Sequence, residues 1–471
     1  MEDLHALALS TLRDLLWRRQ ISCAELAESA IAAVERANPR LNAIIRFDPD
    51  FIRHQARAAD ARLMAGERGP WLGIPVTVKD NLWIKDRPVS NGSMLYRDFT
   101  APEDALAVGR MRAAGAVLLG STNCSEFACK GVTTNPLHGP TRNPWRTDLT
   151  PGGSSGGAAA ATAAGLGHLA LATDAGGSVR RPAAHCGVVG MKPTAGMIPH
   201  PVGFAEPVYG NSVVGLMARR VADIGDALAA LAGPDAADPQ SPPPWATPDL
   251  VAIKTPLRVA VSPRLGLGFA VDPDISAAVQ RSAQALADAG HSVDHADPDW
   301  PEGTSEEALM PLQLAGLAAI YGDRFKAGAW EADPDIARQI EAGLTLSGRA
   351  VAEALELRKA MYQALHALHQ RHDALLTPTT AATAWPLDRL GPEQIEGRPA
   401  SARAHAVFTP IFNHCYGAAC SVPVGLDRLG LPIGVQIAGP MFSDARVLAL
   451  AAALETASAH DFSKPRQDYL S

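Results

Sequence analysis

The sequence predicts an α/β protein, and three observations carry that expectation. Short strand-like apolar runs alternate with helical segments on both sides of a glycine-rich middle. Hydrophobic residues make up 47% of the 471-residue chain and charged residues 19%, the balance of a chain that buries a large core. Aromatic residues amount to only 5% while alanine is abundant, so the interior is expected to bring helices and backbone close together instead of filling space with rings. The whole chain, 1–471, reads as a single domain, with N-terminal helices over 1–65, a core over 70–220 and a helical insertion or outer layer over 300–370.

The elements follow in order. Ser10 is placed to cap a helix over 12–18, and Ser22-Cys23-Ala24-Glu25 is a capping box opening a second helix that Asn38-Pro39 should end. From Trp71 the period becomes two. Ile74, Val76 and Val78 alternate with Pro75, Thr77 and Lys79, which puts Lys79 at the end of a strand, on the face opposite the aliphatics. Pro102-Glu103-Asp104 should open a helix that Gly115 stops, with a strand over 116–119. Past the glycines, 158–164 reads as helix, 168–173 as buried strand and 179–186 as helix, a succession that points to parallel strands. The Pro/Asp/Ala-rich run over 233–256, containing Pro242-Pro243-Pro244, is a linker or a surface loop. Beyond it come a strand over 257–261, a helix over 275–289, mostly helix over 305–370, and strands near 374–376 and 431–437. Since strands flank the long helical stretch, it reads as an outer layer.

Charge and cysteine content exclude several classes. Lys plus Arg number 42 against 49 Asp plus Glu, a net charge of −7, so the positive footprint of a nucleic-acid binder is missing. The six cysteines contain no CxxC pair, which argues against a disulfide framework and a zinc cage and suits reduced thiols in a cytoplasm. No metal and no cofactor are expected. The start, Met-Glu-Asp and on to Arg13, has no apolar signal core. The uncharged stretch over 149–173 holds Pro151, repeated glycine and His168, so it is not read as a membrane span.

The densest chemical signal is Thr150-Pro151-Gly152-Gly153-Ser154-Ser155-Gly156-Gly157, followed by Thr173-Asp174-Ala175-Gly176-Gly177-Ser178-Val179-Arg180. Each turn presents a serine among glycines, so backbone N–H groups can converge on the spot the hydroxyl faces, as in an oxyanion pocket beside a nucleophile. A phosphate cradle would need GxxxxGK[ST] or GxGxxG, and neither occurs here. Gly152-x-Ser154-x-Gly156 formally matches a nucleophile elbow, but Thr150-Pro151 is a poor strand, and neither His405 nor His414 is marked as a triad base. Glycines that merely let backbones cross are the plain alternative.

These turns, with Gly73-Ile74-Pro75-Val76-Thr77-Val78-Lys79-Asp80, Gly120-Ser121-Thr122-Asn123, Gly139-Pro140-Thr141-Arg142-Asn143-Pro144, Cys186-Gly187-Val188-Val189-Gly190-Met191-Lys192-Pro193-Thr194 and Gly430-Leu431-Pro432-Ile433-Gly434-Val435-Gln436, resemble the amidase signature family. The likeness is strong over 70–220 and looser over 405–455. It implies a central mixed, twisted β-sheet surrounded by α-helices, and a Ser-Ser-Lys triad that cleaves carbon–nitrogen amide bonds through an acyl-enzyme. Carried over, Ser178 is the nucleophile and Lys79 the base. The family's bridging serine, attached through a cis peptide, lies 24 positions before the nucleophile, which selects Ser154 over Ser155. The oxyanion would sit on the backbone N–H groups of Ala175, Gly176, Gly177 and Ser178. Chemistry agrees: a lysine accepts a proton near neutrality only if burial lowers its pKa, so Lys79 must be buried.

Other residues take supporting parts. Asp174 and Arg180 are expected to brace the loop, and His185 to pack behind it. Cys124 and Cys129 read as pocket or core fillers. By family analogy, Cys124, Phe127, Gly152, Gly153, Phe204, Tyr209 and Phe412 are candidate substrate-binding residues in a largely apolar cleft with Tyr416, suited to aryl or aliphatic amides and, with the same acyl chemistry, to carbamates or esters. The glutaminase subunit of tRNA-dependent amidotransferases shares the triad, but Ala195-Gly196-Met197-Ile198-Pro199 and Tyr209-Gly210-Asn211-Ser212-Val213-Val214-Gly215-Leu216 depart from its pattern. A stand-alone amide hydrolase acting on small molecules, as a monomer or homodimer, is therefore the expectation. The alternatives are that glutaminase and a catalytically silent binding protein of the same fold.

Overall fold

The structure is a computed structural model that describes residues 4–241, 243, 256–305, 307–465 and 468. Of the Pro/Asp/Ala-rich run over 233–256, residues 242 and 244–255 lie outside the described residues. Helices α1 (Leu9–Trp17), α2 (Cys23–Leu41) and α3 (Pro49–Met64) come first, with the short strand β1 (Ile44–Arg46) between the last two. Ser22 and Glu25 form the expected capping box. Two boundaries differ from expectation. Helix α1 starts at Leu9, so Ser10 lies inside it. Helix α2 runs through Pro39, because a proline in the last turn costs a single hydrogen bond. Asn38 Oδ1 then accepts from the N–H groups of Ala43 and Ile44 at 2.9 and 2.8 Å and turns the chain into β1.

The core follows as β2 (Pro75–Lys79), α4 (Leu106–Ala113), β3 (Val117–Thr122), α5 (Gly156–Ala163), β4 (Leu169–Asp174), α6 (Arg180–Cys186), β5 (Val189–Lys192), β6 (Val213–Ala218) and α7 (Val221–Leu231). Helix α4 begins later than Pro102 because the preceding chain is held extended: Ala101 N–H donates to Arg87 O, Ala105 N–H to Trp83 O, and Asp104 accepts from Lys85 N–H. After the proline-rich run come β7 (Arg258–Val261), α8 (Pro273–Asp288), β8 (Ser292–His295), α9 (Met310–Lys326), α10 (Pro334–Leu344), α11 (Gly348–His369) and β9 (Ala374–Pro378). A two-stranded ribbon, β10 (Gln394–Ile395) and β11 (Arg398–Pro399), precedes α12 (Pro410–His414), β12 (Ala419–Leu426), β13 (Pro432–Ala438) and α13 (Asp444–Ala457).

Eleven strands form one sheet in the order β1-β3-β2-β4-β6-β5-β12-β13-β9-β7-β8. The expected parallel pairing holds for β3-β2-β4 and for β9-β7-β8. Between these blocks the pairs are antiparallel, since β5 and β6 are joined by a loop and β12 and β13 by a short turn, neither of which is a crossover helix. The sheet is therefore mixed, and strands from both sides of the 233–256 run share it.

The alanine-rich middle packs as its composition suggests. All eight residues of α5 are buried: Ala158, Ala159 and Ala163 meet Ala170, Ala172, Val179 and Ala183, while Ala160, Ala161 and Ala164 join the main core. A Cβ on Gly157 would lie 2.5 Å from the Asn123 backbone, an approach only glycine permits. The uncharged 149–173 stretch is thus a loop, a short helix and a strand; among the described residues no helix is long and apolar enough to cross a membrane. Helices α9, α10 and α11 form a layer, and α9 lies so close to the loop before β6 that a Cβ on Gly316 would meet Pro207 O at 1.9 Å.

Candidate active site

Parallel strands β2 and β4 end side by side, and their C-terminal ends carry the chemistry, where ligands of α/β sheets commonly bind. Lys79 is the last residue of β2 and is fully buried. Its Nζ donates to Ser154 Oγ at 2.8 Å and to Thr173 Oγ1, on the end of β4, at 3.0 Å. Asn81 Nδ2 donates to the same Thr173 hydroxyl at 2.8 Å. Burial drives the Lys79 pKa from its ordinary 10.5 down to about 8, a shift that the Asp174 carboxylate partly opposes. Asp80, beside it, accepts from Ser90 and Gly92, and burial raises its pKa to about 6.

The first glycine turn is held on three sides. Thr133 Oγ1 donates to Gly152 O at 2.9 Å and accepts from Gly156 N–H at 2.8 Å, while Ser125 N–H donates to Ser154 O at 3.3 Å. The Gly153–Ser154 peptide is cis. The two serines diverge: Ser154 Oγ meets Lys79, whereas Ser155 Oγ donates to Thr173 O at 3.3 Å.

The second turn is organised by a buried carboxylate. Asp174 accepts from Gly177 N–H at 2.7 Å and Val179 N–H at 3.1 Å, and pairs with Arg180 through Nη2 at 2.8 Å and Nε at 3.0 Å. Burial opposes ionisation of Asp174, but Arg180 and Asn413 outweigh it and hold the carboxyl below its usual range. This corrects one expectation: the Gly177 N–H already serves Asp174 and is not open to an oxyanion. The amides of Ala175, Gly176 and Ser178 make no hydrogen bond among the described residues, and all three residues line a cavity. Gly177 has φ +106°, and a Cβ there would fall 2.0 Å from Thr409 Oγ1, so the turn closes only with glycine.

Ser178 sits where two cavities meet. The smaller, about 50 Å³, also receives Ser154, Asn81, Thr173, Phe127 and Phe204. The larger, about 240 Å³, receives Ala175, Gly176, Arg181, Lys130, Arg403 and His405.

The candidate substrate residues scatter. Phe127 lines the smaller cavity and stacks on Tyr321 at 3.8 Å; Phe204 lines it too, packed on Tyr96, Phe99 and Trp83. Cys124 is fully buried and absent from both walls; Cys129 lies in both. Burial raises both thiols, Cys129 to about 12. Gly152 and Gly153 lie in neither wall; Cβ atoms there would strike His185 at 2.8 Å and the Val132 backbone at 2.6 Å. Phe412 is turned into the core with Phe408 and Ile411, and Tyr209 is 47% exposed with its carbonyl toward Arg358. His185 is buried edge-on to Trp385. Both sides are apolar in part: Phe127, Phe204 and Pro207 line the smaller cavity, and Leu309, Met310, Leu312 and Leu390 the larger. Thr173, Arg181 and Arg403 were not among the expected site residues; a second arginine directly after Arg180 in the glycine turn was the one visible hint.

A buried lysine, two serines on glycine turns and backbone amides turned to a cavity at the ends of parallel strands are an arrangement chemically able to support acyl transfer. The amidase family model matches residues 25–448. The chain is 36% identical to an acylamidase of Rhodococcus erythropolis over 96% of each chain, and 32% identical to a glutamyl-tRNA(Gln) amidotransferase subunit of Symbiobacterium thermophilum over 98% of each. It also superposes on a bacterial aryl acylamidase of the amidase signature enzymes with TM-score 0.88, at 28% identity over 98% of each chain. The chain belongs to the amidase family, whose members carry the amidase signature. It is a hydrolase of carbon–nitrogen amide bonds.

Proposed function

We propose that this chain is a stand-alone amidase for small molecules in which Lys79, Ser154 and Ser178 act as a proton relay. The supporting observation is the buried contact of Lys79 Nζ with Ser154 Oγ at 2.8 Å, made beside the recess that Ser154 shares with Ser178. Lys79 acts as the neutral amine. As Ser178 Oγ bonds to the substrate carbonyl carbon, its proton passes to Ser154 Oγ and that of Ser154 to Lys79. Negative charge on the carbonyl oxygen is met by the N–H groups of Ala175, Gly176 and Ser178. When the carbon–nitrogen bond breaks, Ser154 hands a proton to the departing amine and is reprotonated by Lys79. Water, deprotonated along the same relay, then releases the acid from Ser178. Carbamates and esters are open to the same sequence.

The test is ammonia or amine release by the purified chain from a panel of aliphatic amides, anilides and carbamates, without ATP, tRNA or any partner protein. Turnover supports the stand-alone reading. The likeness to a component of an amidotransferase favours a second reading, a glutaminase, which predicts turnover of glutamine alone and only with partner proteins. A silent binding protein would leave Ser178 unlabelled by a fluorophosphonate.

A further inference from the structure

The relay brings the leaving nitrogen of the substrate to Ser154, which lines the smaller cavity and not the larger. That cavity measures about 50 Å³, roughly a third of the volume in which an engineered protein cavity holds benzene. It is sized for an amino group or a short amine.

Its wall carries hydrogen-bond acceptors that nothing meets. Asn91 is 4% exposed, lines the cavity, and its Oδ1 has no hydrogen-bond partner among the described residues. Asn81 uses its Nδ2 on Thr173 Oγ1 at 2.8 Å, the hydroxyl that Lys79 Nζ also meets, and its buried Oδ1 is left without a partner. Other polar side chains of the wall are engaged or neutral. Glu206 accepts from the N–H groups of Gly210 at 2.7 Å and Ser212 at 3.0 Å, and Gln313 Nε2 donates to Gln339 Oε1 at 2.6 Å. Burial holds His200 below the usual imidazole range, and its Nδ1 is unpartnered too.

The turn at Asn91 does not account for the bare oxygen. Its backbone is fixed on both sides, N–H to Asp80 O at 2.8 Å and O from Phe127 N–H at 2.9 Å, with φ +50°. Glycine would serve that left-handed position equally well. A buried acceptor without a donor is costly, and an N–H brought to it by a ligand removes the cost.

We propose that Asn91 and Asn81 select the leaving group: their Oδ1 atoms accept the two N–H bonds of a primary carboxamide, so that the substrates are unsubstituted amides and the amine released is ammonia. The carbon–nitrogen bond breaks as the Ser178 ester forms, the nitrogen takes the proton of Ser154 Oγ, and water then frees the acid. This rests on the hydrolytic reading above, and the experiment separates the two.

Turnover is measured for butyric, hexanoic and phenylacetic acids, each as primary amide, N-methyl amide and methyl ester. For the best acid, kcat/KM of the primary amide should exceed that of the N-methyl amide by about tenfold or more. Asn91→Gly keeps the turn and removes the oxygen, and should lower that ratio by about fivefold or more; Asn81→Ala should do the same. The ratio of primary amide to methyl ester should fall with it, because the leaving oxygen of an ester has no N–H to lose. A cavity merely enlarged would leave this second ratio unchanged. A native ratio of primary to N-methyl amide of one or less, or either ratio unchanged in either variant, overturns the proposal. If no amide is turned over, the hydrolytic reading fails and ligand-observed NMR on the native protein decides the site. Butyramide bound in preference to N-methylbutyramide, with the preference lost in Asn91→Gly, upholds it; any other result overturns it.

Discussion

Asp174 and Arg180 form a bidentate ion pair, 0% exposed on both sides, directly beneath the turn that carries Ser178. Arg180 also donates to Gln436 Oε1 at 2.6 Å and Thr409 O at 3.1 Å, and Asn413 Nδ2 donates to Asp174 Oδ1 at 2.9 Å. One pair thus ties the Ser178 turn to β13 and α12. Removing one partner leaves a buried charge alone. Arg180→Met or Asp174→Asn should cost about 3–5 kcal/mol in urea unfolding, and both should lose activity with the fold's stability. A loss under about 1 kcal/mol would show the pair to be dispensable.

The serines should separate cleanly. Ser154→Ala removes the hydroxyl that Lys79 Nζ meets and, on the proposed relay to Ser178, should lower kcat by about 10²–10⁴. Ser155→Ala removes a bond to Thr173 O, and should cost about 1 kcal/mol of stability with activity changed by less than about tenfold. Equal kinetic losses in the two variants would reassign the relay.

Lys79 makes activity and stability depend on pH in a fixed sense. On the proposed relay the neutral amine is the working form, so kcat/KM should rise with pH and level off above about 8. Between a folded value of about 8 and an unfolded value of 10.5, the unfolded chain binds more protons, so stability from this group rises with pH across that window. Below it the full cost, on the order of 3 kcal/mol, is present. The stability of Lys79→Met relative to the native protein should therefore be greatest near pH 7 and shrink towards pH 10.5. A pH-independent difference would mean that Lys79 titrates normally.

Phe127 closes the smaller cavity by stacking on Tyr321. Phe127→Ala should cost about 3 kcal/mol and enlarge the smaller cavity; if the leaving amine lies there beside Ser154, the kcat/KM of anilides should rise relative to primary amides. An unchanged substrate ratio would place the amine elsewhere.

What the sequence made legible, and what it did not, divides along physical lines. Lys79 could be placed at a strand end because alternation of period two is local, and Ser154 and Ser178 stood out because glycines flanking a serine constrain the backbone within a few residues. Thr409, Asn413 and Gln436 could not be foreseen as the clamp on Asp174 and Arg180, since each lies more than 200 residues away and polar spacing says nothing about long-range closure. The same limit hid the antiparallel centre of the sheet. Strand β6 lies between a long loop and α7, and no local signal tells which neighbour it will join. Tyr209 and Phe412 illustrate the reverse error: an aromatic in a matching segment does not say which way its side chain turns, and one faces solvent while the other fills the core.

Labelling the purified protein with a fluorophosphonate and mapping the adduct by mass spectrometry tests the relay most directly. The adduct should fall on Ser178, vanish in Ser178→Ala, and form orders of magnitude more slowly in Lys79→Ala. An adduct on Ser155, or amide turnover that survives Ser178→Ala, would contradict it.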